Sequence, residues 1–400
     1  MSLAETPRAN RLQIGLFGRR NSGKSALVNA LTGQDVVLVS DVAGTTTDPV
    51  YKAMEIQGLG PITFVDTAGF DDTGSLGEQR VRKTEEAAAG IDIALMLFAN
   101  DSMDLELAWM NRLKKTGTNV IPVISMVDRL PDGGKALAAA VREASGKRPV
   151  CVSSREHIGL DDLHEEIIRS MPEDYEAPSI TGSLCSKGDV VLLVMPQDKQ
   201  APKGRLILPQ VQTIRELLDK GCTVISCTTE GMSGALEKLT APPKLIITDS
   251  QVFPEVSALK PSASLLTSFS VLFAAYKGDI AYFRDSVKQL EHLPANGRIL
   301  IAEACTHRPI QEDIGRVKLP RLLRKRFGDG LSIDITSGRD FPKELSGYDF
   351  IIHCGSCMFN RRYVMSRVAA AKAQGVPMSN YGVTLAWLSG ILDSVAFPSR

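Results

Sequence analysis

The run Gly18-Arg19-Arg20-Asn21-Ser22-Gly23-Lys24-Ser25 sets glycines, a lysine and a serine where the phosphates of a nucleotide can be held. It follows the apolar run LQIGLF and opens the helical pattern SALVNAL, the strand–loop–helix setting a phosphate loop requires. Glycine lets backbone N–H groups close around phosphate oxygens, and a helix N-terminus adds positive potential. Gly18, Asn21, Ser22, Gly23, Lys24, Ser25 and Ala26 are the expected phosphate-binding residues. Lys24 would reach the β- and γ-phosphates, and the Ser25 hydroxyl would ligate Mg²⁺. Further on, Asp66-Thr67-Ala68-Gly69 follows the run PITFV. An aspartate leaving a strand can hold the Mg²⁺ shell, and the Gly69 amide can sense the γ-phosphate. Between the two motifs lies Ala43-Gly44-Thr45-Thr46-Thr47-Asp48, in which Thr46 is the expected Mg²⁺ ligand of a switch loop. Lys24, Thr46, Asp66 and Gly69 would thus serve the hydrolytic step.

A second constellation lies near the C-terminus. Cys305-Thr306-His307 ends the run GRILIAEA, and His353-Cys354-Gly355-Ser356-Cys357 ends the run YDFII. Ligands at the C-terminal ends of strands can converge in the crevice where open α/β sheets bind ligands. Zinc would accept three thiolates and an imidazole in a closed tetrahedral site. A cubane iron–sulfur cluster held by three cysteines leaves one iron to a histidine, another side chain or an exogenous ligand. Spacing alone leaves both metals open.

These residues need elements to position them. Residues 12 to about 170 alternate short apolar runs with helical patterns, which implies a mostly parallel sheet covered on both faces. PEDYEAPSITGS has the composition of a linker. Strands DVVLLVMP, CTVISCTT and PKLIITDS then alternate with two helices, a unit small enough to need cover from elsewhere. A third set of strands and helices begins near residue 264. The fold class expected is α/β in three domains, 1–172, 184–263 and 264–400.

Composition narrows the function. Of 400 residues, 46 are Lys or Arg and 46 Asp or Glu, a balance that argues against a protein built to coat nucleic acid or anionic lipid. No apolar run approaches the ~18 residues of a spanning helix, and the N-terminus carries no signal-peptide pattern, so a cytoplasmic location away from membranes is expected. The cysteines number seven, an odd and thinly spread count that opposes a disulfide framework. Cys151, Cys185, Cys222 and Cys227 are expected to be structural. The six basic residues from Arg316 to Arg326 have helical periodicity; a solvated face is the default reading, an anion or an acidic partner the other.

The order of motifs resembles the translation-factor-like GTPases, in particular the branch that includes the tRNA-modification GTPase MnmE and Era. The resemblance implies that Asn21 helps hold K⁺ beside the phosphates. Phe70 stands where Ras-like enzymes carry a water-orienting glutamine, which implies slow turnover raised by K⁺. The base-reading motif Asn-Lys-x-Asp appears as Ser125-Met126-Val127-Asp128. Asp128 keeps the carboxylate that reads guanine, while the missing asparagine and lysine remove a loop brace and a cover over the base. Ser153-Ser154 resembles the last nucleotide motif.

A phosphate-loop GTPase joined to a C-terminal Cys-x-His and His-Cys-x-x-Cys, with the middle segment GDVVLLVMPQDKQAPKGRLILPQVQTIRELLD, resembles the HydF family of FeFe-hydrogenase maturation GTPases across essentially the whole chain. The resemblance implies a Ras-like GTPase domain, a dimerisation domain and an iron–sulfur domain whose 4Fe-4S cluster is held by Cys305, Cys354 and Cys357. His307 and His353 become candidates for the fourth site or for contacts with a transient diiron precursor. It also implies partners: two radical-SAM maturation enzymes and the apo FeFe-hydrogenase, with a homodimer or higher oligomer. The competing readings are an RNA-directed maturation GTPase with a structural zinc site, for which no basic or aromatic-rich RNA module is evident, and a zinc hydrolase, for which Glu303 is the only carboxylate close in sequence to a ligand.

Overall fold

The computed structural model describes residues 11–32, 49–56, 60–67, 69–70, 75–172, 179–196, 206–304, 314–338, 340–356 and 359–399. The chain divides into two compact units, Met1–Glu176 and Ala177–Arg400.

The first unit is built on β1 (Leu12–Phe17), β2 (Val50–Ile56), β3 (Gly60–Asp66), β4 (Ile93–Phe98), β5 (Asn119–Ile124) and β6 (Val150–Cys151). They form one sheet in the order β2-β3-β1-β4-β5-β6, antiparallel only between β2 and β3. The apolar runs are continuous because both faces are covered. Alternate residues of β4 show this: Ile93, Leu95 and Leu97 join one core with Ile14 and Leu27, while Ala94, Met96 and Phe98 join another with Phe17 and Trp109. Leu16 pairs in register with Asp66, so the chain leaving β1 and the chain leaving β3 emerge side by side.

The second unit holds β7 (Val190–Val194), β8 (Thr223–Cys227), β9 (Leu245–Thr248), β10 (Leu265–Ser268), β11 (Arg298–Ala302), β12 (Ser332–Thr336), β13 (Phe350–His353) and β14 (Met378–Asn380). Two four-stranded sheets result, β10-β9-β7-β8 and β12-β11-β13-β14, parallel throughout. The boundary expected at residue 263 falls before β10, which is the edge strand of the first of these sheets. Leu192, Val194 and Ile246 share one buried core with Ile299, Ile301 and Ile351 of the other sheet. The middle sheet thus takes its cover from the C-terminal sheet of the same chain. Val395 bridges to Leu266, and the Ala396 amide donates to the Leu266 carbonyl at 2.7 Å, so the C-terminal segment lines the edge of the middle sheet.

Polar caps make the turns from strand to helix. Ser268 caps the helix Phe269–Lys277, Asn360 caps Arg361–Ala373 and Asn380 caps Tyr381–Leu388, each accepting an N–H bond from three residues on. A cap of this kind contributes ~1 kcal/mol.

Candidate functional site

In the first unit the phosphate loop leaves β1 and enters the helix Lys24–Thr32. Gly23 has φ +88°, and a Cβ on Gly18 would meet Ser22 Oγ at 2.6 Å and the Leu97 carbonyl at 3.0 Å, so both positions demand glycine. Lys24 is almost fully buried, and its Nζ donates to the Gly18 and Arg19 carbonyls at 3.0 and 2.7 Å, spanning the loop from within. Asn21 is exposed and holds a left-handed conformation, φ 60°. Ala26 is exposed at the first turn of the helix.

Ser25 Oγ donates to Asp66 Oδ2 at 2.6 Å. Two of the residues expected at the Mg²⁺ site are therefore adjacent, and a hydroxyl beside a half-buried carboxylate is a hard-oxygen donor set that fits Mg²⁺. Burial raises the Asp66 carboxyl above its ordinary value; the Ser25 hydrogen bond and the ammonium groups of Lys24 and Lys52 oppose that rise. Gly69 follows at the end of the same segment and is half-buried. Thr46 lies outside the described residues. Phe70 turns inward, nearly fully buried and stacked on Trp109 with ring centroids 5.7 Å apart; Phe17 meets the same indole at 5.9 Å.

At the base-reading loop the structure corrects one expectation. Ser125 does supply a brace: its Oγ donates to the Ser22 carbonyl at 2.7 Å, tying the loop after β5 to the phosphate loop. The neighbouring Met126 takes φ 52° and ψ 41°, rare for such a side chain, and its Cγ lies 3.6 Å from where a Cβ on Gly23 would stand. A thioether lies where the family pattern carries a lysine. Ser153 Oγ donates to Asp128 Oδ1 at 2.7 Å, and that bond holds the carboxyl below its ordinary value. Ser154 follows, half-buried, in the same turn. Arg19, in the loop itself, is clamped by the buried Glu106 at 2.9 Å and by Ser102. None of these braces follows from the motif pattern.

In the second unit β11 pairs with β13 in parallel, Ala302 opposite His353, so the two cysteine-bearing segments leave the same end of the sheet as neighbours. Cys305, His307 and Cys357 lie outside the described residues. Cys354 is described, and its Sγ accepts N–H bonds from Ala304 at 2.9 Å and Ser356 at 3.4 Å. The residue preceding Cys305 thus touches Cys354. Two amides aimed at one sulfur favour its thiolate, the form that binds iron or zinc, so this position fits a thiolate-held metal group. Among the described residues no three metal-ligating side chains gather, as only Cys354 of the expected cysteine trio is among them.

His353, the other candidate beside Cys354, is held by the protein itself. It is buried, and both ring nitrogens are taken. Nε2 lies 2.9 Å from Arg367 Nη1, which can only donate, so the ring proton sits on Nδ1 and is given to the Cys354 carbonyl at 2.8 Å, with Ser356 Oγ at 3.0 Å. Burial first, and then the adjacent guanidinium, push the imidazole down to about 3, so it is neutral. In this arrangement the histidine ties the loop at Cys354 to the helix that carries Arg367. Its partner was detectable: Arg367 interrupts the buried stripe Tyr363, Val364, Val368 and Ala371 of its helix.

Two cations fasten this loop. Lys277 is buried and donates to the Ser356 and Phe359 carbonyls at 2.9 and 2.8 Å. Arg367 is buried and surrounded by the rings of Phe341, Phe359 and Tyr363. In the basic stretch 316–326, Lys318 is bound by the Gln251 carbonyl, and Arg316, itself bound by Glu303 and Ser337, lines an open groove of about 540 Å³ together with Arg321, Arg324 and Lys325.

Comparison with known proteins follows this division. Residues 13–127 match a GTPase family model described as a 50S ribosome-binding GTPase. Residues 180–278 match the hydrogen maturase F dimerization domain, and residues 281–397 the hydrogen maturase F tetramerization domain. The tRNA modification GTPase MnmE of Chromobacterium violaceum is 33% identical over 158 residues, 39% of this chain and 34% of that protein. The MnmE of Salinibacter ruber is 38% identical over 237 residues, 58% of this chain and 48% of that protein. The chain thus spans a third to a half of the length of these curated relatives. Among solved structures, Era from Aquifex aeolicus bound to GDP.AlF4- is 19% identical with a TM-score of 0.35, covering 63% of this chain and 99% of that one. The G domain of FeoB from T. maritima is 20% identical with a TM-score of 0.32, covering 40% of this chain and 98% of that one. The first unit is a GTPase domain, the fold is α/β throughout, and the segments that follow are a dimerization and a tetramerization domain, which make the chain a homo-oligomer. No described helix is long and apolar enough to cross a membrane. Because both segments beyond the GTPase domain match hydrogen maturase F models, the chain belongs to the hydrogen maturase F (HydF) family.

Proposed function

We propose that this protein is a cytoplasmic GTPase and 4Fe-4S scaffold, which receives the diiron precursor of the hydrogenase active site from two radical-SAM enzymes and delivers it to apo FeFe-hydrogenase. The observation that carries this reading is the Cys354 nest: a sulfur receiving two backbone N–H bonds beside the segment that leads to Cys305, in a domain matched by a hydrogen maturase model. Cys305, Cys354 and Cys357 would hold the cluster, whose remaining iron offers an exchangeable site for cargo, and His307 is the histidine left for that site. The three proposed domains run 1–172, 184–263 and 264–400, with β10 of the last completing the sheet of the second.

In the GTPase domain the chain's own groups divide the work. Lys24 neutralises charge on the β- and γ-phosphates, and Ser25, Asp66 and Thr46 hold Mg²⁺, which stabilises developing negative charge. Gly69 senses the γ-phosphate. The Asp128 carboxylate, oriented by Ser153, accepts from guanine N1–H and its 2-amino group, and Ser154 completes the last nucleotide motif. Phe70 is packed on Trp109 and has no group to orient water, so turnover is slow, and Asn21 at the exposed tip of the loop recruits K⁺ as a fixed positive charge. GTP acts as a switch by binding two states of the chain with different affinity.

Two measurements on anaerobically purified full-length protein test this. Iron with acid-labile sulfide and a brown chromophore supports the scaffold; stoichiometric zinc without iron would instead favour a maturation GTPase with a structural zinc site. Lys24→Ala should abolish GTP hydrolysis and leave iron content intact, and loss of iron as well would defeat the separation of the two functions.

A further inference from the structure

Arg367 projects from the buried face of the helix Arg361–Ala373 and is only 3% exposed. Its Nη1 donates to His353, its Nη2 to the Gly338 carbonyl at 2.5 Å, and its Nε has no partner. Three aromatic rings lie 4.8 to 5.1 Å from the guanidinium carbon. No carboxylate pairs with it among the described residues. Carbonyl, neutral imidazole and ring faces soften the cost of burying a cation, but none of them supplies a negative charge. Chemistry able to supply one is on the loop that His353 holds, where Cys354, which acts electrostatically on Arg367, already receives two N–H bonds.

We propose that Arg367 is a positioning and charge-compensating residue for the anionic, thiolate-held group at Cys354: through His353 it fixes the loop, and through its charge it raises the reduction potential of that group. This rests on the iron–sulfur reading above. A nearby cation stabilises the more negative, reduced state, so removing it makes reduction harder. A cation too remote from that group to act on its charge would leave the potential where it was.

The test uses full-length protein with its cluster reconstituted anaerobically, comparing wild type, Arg367→Met and Arg367→Lys by iron and sulfide content, thermal melting and spectroscopic redox titration. The expected result is a midpoint potential that moves negative in Arg367→Met and stays close to wild type in Arg367→Lys. Equal potentials in wild type and in an iron-loaded Arg367→Met would overturn the inference while leaving the scaffold reading intact. Wild type that takes up no iron would instead defeat the scaffold reading itself. Should Arg367→Met fail to fold or load, Arg367→Gln keeps a donor for His353 and removes only the charge. Loading by the lysine variant and by neither neutral one supports the inference, and failure of the lysine variant alongside them overturns it.

Discussion

Replacing Ser125 with alanine removes the hydroxyl that joins the base-reading loop to the phosphate loop. The Phe98 carbonyl, which Ser125 Oγ also approaches at 3.3 Å, keeps the Ser125 backbone N–H at 2.9 Å. The loss therefore falls on the Ser22 carbonyl, whose 2.7 Å bond is buried. A buried acceptor stripped of its donor costs ~1–3 kcal/mol. Taking ~2 kcal/mol, a unit of this size melts about 4–8 °C lower. The bond exists before nucleotide binds, so most of the cost appears as stability. Affinity falls only as far as the two loops lose alignment, with a ceiling of about 30-fold for ~2 kcal/mol. Calorimetry of the full-length protein reads the first quantity, and titration with a fluorescent GTP analogue reads the second. Ser125→Asn, which restores an amide donor, should recover both. If Ser125→Ala melts and binds like the parent, the brace contributes nothing and the reasoning fails.

Three other outcomes are expected. The Asp128 carboxylate must be ionised to accept from guanine, and the Ser153 bond holds it below its ordinary value. The preference for GTP over ATP, which depends on Asp128 and not on the Mg²⁺ site, should therefore persist as pH falls into the ordinary carboxylate range, and in Ser153→Ala it should be lost at higher pH; identical profiles would contradict this. The Cys222 thiol is pushed up to about 11 by burial and by neighbouring Cys185. Alkylation at Cys222, mapped by mass spectrometry, should be very slow at neutral pH and climb about tenfold per pH unit below that value, and rapid labelling of folded protein at neutral pH would refute it. GTP turnover should be faster in K⁺ than in Na⁺ and lose that preference in Asn21→Ala; equal rates in the two salts would rule out the proposed ion.

The phosphate loop was legible because glycine, lysine and serine at fixed spacing between a strand and a helix allow few other structures. The brace at Ser125 was not, since a motif comparison registers a missing asparagine and is silent on what a shorter side chain reaches 103 residues away along the chain. The hydrogen bonds of His353 were hidden for a related reason: Arg367, the residue that fixes its tautomer, lies a helix away. Short strands escaped too: β10 and β14 are four and three residues long, too brief to show a period. The middle sheet's need for cover could be read from its size, but the identity of the cover is a long-range property of the fold.

The seam between Val395 and Leu266 has a consequence for the order of events during synthesis. The GTPase domain can close its sheet as soon as β6 emerges from the ribosome. The middle sheet cannot finish its edge until more than a hundred further residues have been made, since the strand-like contact at Leu266 and the Ala396 hydrogen bond come from the far end of the chain. Until then β10 presents open backbone groups beside a nascent interface, the kind of exposed edge that pairs with a neighbouring chain. Vectorial folding in this protein thus proceeds by completing its first domain early and holding the second open until the third arrives.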